Sequence, residues 1–393
     1  MSRSRRLATA FLLLGALSSL AAAQTAPRKY LAFGDSITFG VGDDPSRAKL
    51  GYPPRLETRL QTAGVSATVI NLGNSGEKTP DGLARINSAL TQAQPAPGDV
   101  LLLMEGTNDV TQRDTISVET TILNLDKMAD AAQALNLTVI HATVIPRPPW
   151  AKRDPDNVLT DQLNGRIRNM AGQRGRRLAD PNEVFRSTAS VFDNHYSHAV
   201  DDFVGHPSAT GYDLLAGVFF NVIQSVDLVP PVPGILVPEN GARNIPPGQA
   251  ISVQVWDFGA GIDLANTSLL VNGQQVSVVP TGNTRLAQFS YQPPAPLSGT
   301  VRVGLRSRDL AVPANAVDRE IARFTVRGTN QIQGDLNGDG RVDGMDLILF
   351  GRHFGSFPGD RNWDENADFN NDAKIDGTDL AVLASNFGRS TSG

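Results

Sequence analysis

Residues 31–43 read LAFGDSITFGVGD, an apolar run that breaks into a turn holding three glycines and a serine, Ser36. A short apolar run that stops at glycine and aspartate reads as a buried strand feeding a turn. Three further runs have the same character: ATVINL at 67–72, DVLLLM at 99–104 and LTVIHATV at 137–144. Between them, PPRLETRLQTAG (53–64), TPDGLARINSALTQA (79–93), SVETTILNLDKMADAAQAL (117–135) and DQLNGRIRNMAGQ (161–173) place apolar residues three and four apart, as amphipathic helices do. Strands alternating with helices predict an α/β domain with a parallel sheet, a flavodoxin-like three-layer sandwich over residues 27–228. Open sheets of this kind hold ligands at the carboxyl ends of their strands, which is where Ser36 falls.

The turn does not serve a phosphate. No lysine follows Gly40 or Gly42 as a Walker loop requires, and G-x-G-x-x-G opening a helix is absent. The balance of charge agrees: the 393 residues carry a net charge of −5 and no long basic run, which excludes nucleic acid and anionic lipid as electrostatic partners. Residues 1–23 begin MSRSRR, continue as an apolar run and end in AAA, the pattern of a secretory signal with the mature chain starting at Gln24. That run is shorter than the roughly 20 residues a membrane-spanning helix needs, so a secreted or cell-surface protein without a membrane span is expected. The sequence holds no cysteine, so no disulfide stabilises it.

An exposed serine at a sheet edge is a candidate nucleophile, and it needs a base and oxyanion donors. NLGNSGEKT (71–79) follows the second strand and offers backbone N–H groups from a glycine turn. MEGTNDV (104–110) follows the third with Asn108 at its tip, and GHPSATGYDLLA (205–216) brings His206 to the mouth of the last helix. Asp35 and Asp109, beside the nucleophile and the donor, read as ligands of loop backbone. His141 reads as a packed core residue, and His195 and His198 as residues of the cleft rim. A glycosidase would need two carboxylates across one bond, and no such pair stands out.

The four blocks FGDSITFG, NLGNSGEKT, EGTNDV and DDFVGHPSATGY resemble, in order, those of the GDSL or SGNH hydrolases, in particular lysophospholipase-like and carbohydrate-esterase-like members; the resemblance covers roughly residues 28–227. It implies Ser36 as nucleophile and His206 as general base. It implies an oxyanion hole from the Ser36 amide, the Gly76 amide and the Asn108 side chain, with Gly73 the weaker choice for the middle donor. The family places the orienting aspartate three residues before the histidine, where this chain has Phe203. Asp202, four before, is the expected triad acid, with Asp201 or a backbone carbonyl as substitutes.

Beyond the helix that follows His206, the proline-rich VPPVPGILVP reads as a stiff linker over 229–237. Short alternating runs separated by Asn-Gly, Gly and Pro turns then predict an immunoglobulin-like β-sandwich over 238–328. It shows no acid, base or metal constellation and reads as a spacer, or as a carbohydrate-contacting module. The last segment, 333–389, contains a repeat: GDLNGDGRVDGMDLILFGRHFG from Gly334 aligns with ADFNNDAKIDGTDLAVLASNFG from Ala367. Asp335, Asn337, Asp339, Asp343 and Asp346 stand at positions one, three, five, nine and twelve of an EF-hand loop, with the Arg341 carbonyl at seven. Asp368, Asn370, Asp372, Asp376 and Asp379, with the Lys374 carbonyl, repeat the set. Hard oxygen ligands at this spacing suit calcium, so two structural Ca2+ sites are expected and no cofactor for catalysis.

Aspartate at position twelve, and a single helix after each loop with none clear before it, resemble a type I dockerin. That implies a possible cohesin partner, although the pairs Gly344-Met345 and Gly377-Thr378 replace the Ser-Thr common in cellulosomal members. Leu347, Phe350, Phe354, Leu380, Leu383 and Phe387 are expected to form the small core of this segment. Taken together, the expectation is a secreted serine esterase that deacylates polysaccharide. The alternatives are a lysophospholipase or short-chain acyl esterase, and a non-catalytic glycan-binding surface protein.

Overall fold

The computed structural model describes residues 28–46, 50–111, 116–152, 154, 157–198, 205–328, 332–357 and 360–391. The signal-sequence expectation for residues 1–23 lies outside them. Among the described residues no helix is long and apolar enough to cross a membrane.

The first unit is a five-stranded parallel sheet. Its strands are β1 (Arg28–Gly34), β2 (Ala67–Gly73), β3 (Val100–Met104), β4 (Thr138–Ala142) and β5 (Arg177–Ala179), in the order β2-β1-β3-β4-β5. This is the flavodoxin-like order, with the switch point between β1 and β3. Alternation within the strands builds two cores. Leu31, Phe33, Leu101, Leu103 and Val139 face α3 (Thr79–Ala93), α5 (Val118–Ala134) and α6 (Val158–Gln173). Tyr30, Ala32, Leu102, Met104 and Ile140 face α2 (Tyr52–Thr62) and α9 (Ala209–Ile223). Burial on both faces explains why these strands read as continuous apolar runs. The remaining helices are short: α1 (Ser36–Phe39), α4 (Thr107–Thr111), α7 (Pro181–Ser187) and α8 (Val191–His195).

The linker expectation for 229–237 is corrected. Residues 232–237 form a strand, β6 (Val232–Val237), at the edge of a second sheet, paired antiparallel with β7 (Ile251–Trp256) and irregular between Pro233 and Leu236. An edge strand leaves one row of N–H groups unpaired, so it accepts the prolines that made the stretch look unstructured. The strand also abuts the first unit. Arg168 donates to the Pro233 carbonyl at 3.0 Å, and Arg166 pairs with Glu239 at 2.7 Å. α6 comes so near that a Cβ on Gly165 would lie 2.4 Å from the Gly234 carbonyl oxygen, and one on Gly172 2.3 Å from the Trp256 ring. Glycine at these two sites lets helix and sheet close on one another.

The sheet of β6 and β7 is completed by β10 (Thr281–Gly282) and β11 (Leu286–Tyr291). A second, antiparallel too, has the order β13-β12-β8-β9, from β8 (Ser268–Val271), β9 (Gln274–Gln275), β12 (Gly299–Arg308) and β13 (Ala316–Val326). Val253, Val255 and Phe289 of one sheet meet Leu269, Val303, Leu305 and Phe324 of the other in a single core.

The C-terminal segment carries α10 (Gly344–His353) and α11 (Gly377–Asn386), each after one acidic loop. The expected core is corrected here. Phe350 and Leu383 are buried as expected, but their companions are Val342, Ala367, Phe369 and Ile375, while Leu347, Phe354, Leu380 and Phe387 are exposed. Ten-residue helices have room for one inward residue per turn, and the apolar positions inside the loops take the remaining core space.

Candidate active site

β1 delivers the chain to Gly34, where a Cβ would lie 2.0 Å from the Met104 carbonyl oxygen, so only glycine lets the strand turn there. Asp35 then caps α1, its Oδ1 accepting the Ile37 amide at 2.9 Å, and Ser36 stands at the helix's first position. The Ser36 carbonyl accepts the Gly40 amide at 2.9 Å, which closes the turn beneath the hydroxyl.

Across the edge of the sheet, His206 Nε2 lies 2.8 Å from Ser36 Oγ. The histidine is fixed through its backbone: its carbonyl accepts the Ser197 amide at 2.8 Å, and the Ser208 amide donates to the His195 carbonyl at 2.9 Å. Gly205, at φ 71°, turns the chain just before it, and Tyr212 of α9 donates its hydroxyl to the Val41 carbonyl at 2.6 Å, tying base and nucleophile loops together. Asp202 and Asp201 lie outside the described residues.

Asn108 sits in α4, after β3, and its Nδ2 donates to the Glu77 carbonyl at 2.8 Å, which ties it to the turn carrying Gly76 and leaves its second N–H available. Gly76 follows β2 at φ 80°. The Gly73 amide donates instead to Asn71 Oδ1 at 2.9 Å, which removes it as an oxyanion donor. Asp109 holds loop backbone as expected, accepting the Thr79 amide and the hydroxyls of Thr79 and Thr121. The site is tight: Ser36 is 4 % exposed and His206 8 %.

The electrostatics hold residues the motifs did not single out. Burial pushes the Asp35 carboxyl up to about 6, against the pull of Ile37 N–H, His206 and Arg147. Glu105, fully buried, has neither carboxyl oxygen hydrogen-bonded among the described residues, and burial with the charges of Glu77, Asp35 and Asp109 drives it well above the carboxylate range. Arg147 is likewise buried, donating to the Ile145 carbonyl at 2.7 Å. The available signal was a charge inside an apolar stretch, LLLMEG and TVIPRPP. His141 is a core residue whose imidazole burial and Arg176 push down to about 3. His198 packs against Trp150 with ring centroids 4.4 Å apart and the planes tilted by 32°. Trp150 lies two residues beyond Pro148, against which Gly205 packs, so the pair borders the His206 turn.

The two acidic loops share one bonding scheme. Asp346 Oδ1 accepts the amides of Leu336 and Asn337, and Asp379 Oδ1 those of Phe369 and Asn370. Asp343 and Asp376 cap the helices, each reciprocated by the carboxylate three residues on. Oxygens of Asp368, Asp372 and Asp379 lie within 4.8 Å of one another, and burial with the charges of Asp372 and Asp379 pushes the Asp368 carboxyl up to about 7. An all-oxygen donor set crowded with negative charge fits calcium.

The expectation that the middle unit lacks any such constellation is corrected: Asp227, Asp257 and Asp309 bring carboxylate oxygens within 4.8 Å of one another. They come from three distant stretches, so no local spacing announces them.

Residues 32–214 match the family described as GDSL-like Lipase/Acylhydrolase, and residues 333–387 match the dockerin type I domain. Type I dockerin domains bind calcium. Over 137 residues the chain is 32% identical to an arylesterase of Vibrio mimicus, covering 35% of this chain and 64% of that protein. Over 101 residues it is 35% identical to esterase TesA of Pseudomonas aeruginosa, covering 25% of this chain and 47% of that protein. The chain thus spans less than two thirds of the length of either. Among solved structures, a lipase/acylhydrolase from Enterococcus faecalis is 22% identical with a TM-score of 0.41, covering 50% of this chain and 95% of that one. Axe2, an acetylxylan esterase from Geobacillus stearothermophilus, is 23% identical with a TM-score of 0.40, covering 50% and 94%.

Proposed function

We propose that this chain, which carries a GDSL-like lipase/acylhydrolase domain over residues 32–214 and a type I dockerin domain over residues 333–387, is an extracellular serine esterase that deacylates polysaccharide. The reading rests on the 2.8 Å contact between Ser36 Oγ and His206 Nε2 at the carboxyl edge of the sheet. Ser36 attacks the ester carbonyl while His206 takes its proton. The oxyanion that forms is met by the Ser36 and Gly76 amides and the free Asn108 N–H. His206 returns the proton to the departing alcohol, leaving an acyl-serine. Water, deprotonated by the same imidazole, attacks the acyl carbon; that proton passes to Ser36 Oγ as the acyl–serine bond breaks, and the carboxylic acid leaves and ionises in solvent. Asp202 orients the imidazole. No metal enters these steps.

Polysaccharide is favoured because a dockerin domain attaches its carrier, through a cohesin, to glycan-degrading company. Exposed Trp150, tilted against His198 beside the His206 turn, adds an aromatic face of the kind a sugar ring covers. Two calcium ions order the dockerin, whose exposed Leu347, Phe354, Leu380 and Phe387, related by the repeat, supply apolar area for the cohesin. The sandwich, immunoglobulin-like by its alternating strands, acts as a spacer. Short aryl or alkyl esters are the second reading, favoured by the named activities of the arylesterase and esterase relatives.

The test is acyl release by the purified protein from acetylated xylan, acetylated pectin, 4-nitrophenyl acetate and a lysophospholipid, with Ser36→Ala alongside. Release of acetate from a polysaccharide, abolished in Ser36→Ala, is the expected result. Activity retained within tenfold in Ser36→Ala ends the serine esterase reading, and turnover of the small esters alone moves the substrate to the second.

A further inference from the structure

We propose that Asp227, Asp257 and Asp309 bind a calcium ion at the seam between the α/β unit and the sandwich, fastening the chain that leaves α9 to the ends of β7 and β12. Each carboxylate is aimed by backbone. Asp257, directly after β7, accepts the amides of Gly259 and Gly261 on Oδ1, at 2.9 and 2.8 Å. Asp309, directly after β12, accepts the amides of Ala311 and Asn315 on Oδ1 and the Asn315 side chain on Oδ2. Asp227, four residues past α9, accepts the Ala260 amide on Oδ2 at 2.7 Å and the Val229 amide on Oδ1 at 3.3 Å. The chain passes so near Asp227 that a Cβ on Gly259 would lie 2.1 Å from its carboxyl carbon.

These bonds leave one group unexplained. Asp257 is 3 % exposed, and its Oδ2 accepts no hydrogen bond among the described residues. Asp309 is 2 % exposed, and among the described residues no lysine, arginine or histidine forms an ion pair with any of the three. Burying carboxylates side by side without a cation is costly, and the Asp257 carboxyl is pushed up to about 6 by burial and by Asp227 and Asp309. A cation between them turns that repulsion into attraction.

The donor set selects the ion. Carboxylate oxygen without histidine or cysteine disfavours zinc. A mutual span within 4.8 Å is no more than twice a calcium–oxygen bond of about 2.4 Å, and half-buried Asp227 leaves a solvent side where water completes the irregular shell calcium accepts.

The experiment counts calcium on the full chain by equilibrium dialysis with metal analysis, against magnesium as the second ion. Two variants are used: Asp257→Asn, and a chain whose acidic loops are disabled by Asp335→Ala and Asp368→Ala. The expected result is one calcium fewer per chain in Asp257→Asn than in the parent. The loop-disabled chain retains one, and calcium raises its unfolding midpoint as followed by tryptophan fluorescence, Trp256 being the residue before Asp257. Equal calcium in parent and Asp257→Asn, or none on the loop-disabled chain, overturns the proposal. Magnesium bound in place of calcium overturns the choice of ion. If Asp257→Asn does not fold, the loop-disabled chain alone decides, with Asp309→Asn as the paired variant.

Discussion

Ser36 owes its position to three local features: a strand that ends at Gly34, an aspartate side-chain cap, and a left-handed Gly40 that closes the helix after one turn. Loss of the nucleophile or base in Ser36→Ala or His206→Ala is expected to lower ester turnover by about 10³- to 10⁶-fold, read as kcat/KM on a soluble ester. Asn108→Ala is expected to cost about 10²- to 10³-fold, mainly in kcat, because its free N–H meets charge that exists only in the transition state. An unchanged rate would remove it from the site. If Asp202 orients the imidazole as proposed, Asp202→Asn should damage turnover far more than Asp201→Asn; equal small effects would favour a backbone carbonyl. Asp35 gives a prediction with a definite sign. Its folded-state pKa of about 6 lies above the ordinary 3.8, so the folded protein holds this proton over the window from about 4 to 6 and loses stability as pH rises through it. Asp35→Asn keeps the cap but not the charge. Its stability should match the parent near pH 4 and exceed it by up to about 3 kcal/mol at pH 7, measured by denaturant titration at each pH. A gap independent of pH would mean the carboxyl stays ionised throughout. Ser36, His206 and Asn108 were legible because each stands in one of four ordered blocks; Glu105 and Arg147 were not, since a single charge in an apolar run has no signature until the run is folded around it.

At the scale of elements, four of the five long helices of the α/β unit follow from periodicity and four of its five parallel strands from short apolar runs, and the failures among the strands share a cause. β5 is three residues long, too short to carry a period, and β6 was masked by its prolines. Each is defined by the neighbour it pairs with. The acidic loops show the opposite case: spacing alone picked out Asp368, Asp372 and Asp379, whose oxygens lie within 4.8 Å of one another. Gly340 of the first loop has φ 83°, and its counterpart Ala373 takes φ 64°. An alanine there meets a steric cost of about 1 kcal/mol or more that glycine does not. Ala373→Gly is therefore expected to tighten the weaker calcium transition of the full chain about five-fold, the equivalent of about 1 kcal/mol, in a calcium titration followed by circular dichroism. A transition left in place would mean that Ala373 is not what limits the second loop.

At the scale of the whole molecule, the proposed chemistry and the acidic loops belong to different stretches of chain, residues 32–214 and 333–387. Among the described residues the dockerin buries six apolar side chains, Val342, Phe350, Ala367, Phe369, Ile375 and Leu383, a core too small to hold together loops of unneutralised carboxylates. Chelation is expected to remove the circular dichroism of α10 and α11 while turnover of a soluble ester by the full chain stays nearly constant; loss of turnover restored by calcium would place metal in support of the catalytic unit. The sequence by itself determined the parallel α/β unit, the serine, histidine and asparagine at its edge, and the two acidic loops, because apolar runs, helical period and twelve-residue loop spacing are all local patterns. Tertiary structure alone decided that β6 lies against α6 instead of linking two free bodies, which apolar residues of the small helices face inward, and that Asp227, Asp257 and Asp309 meet. Those outcomes depend on which surfaces come together, and residues 30 to 82 positions apart carry no mark of a shared neighbour until packing brings them within reach.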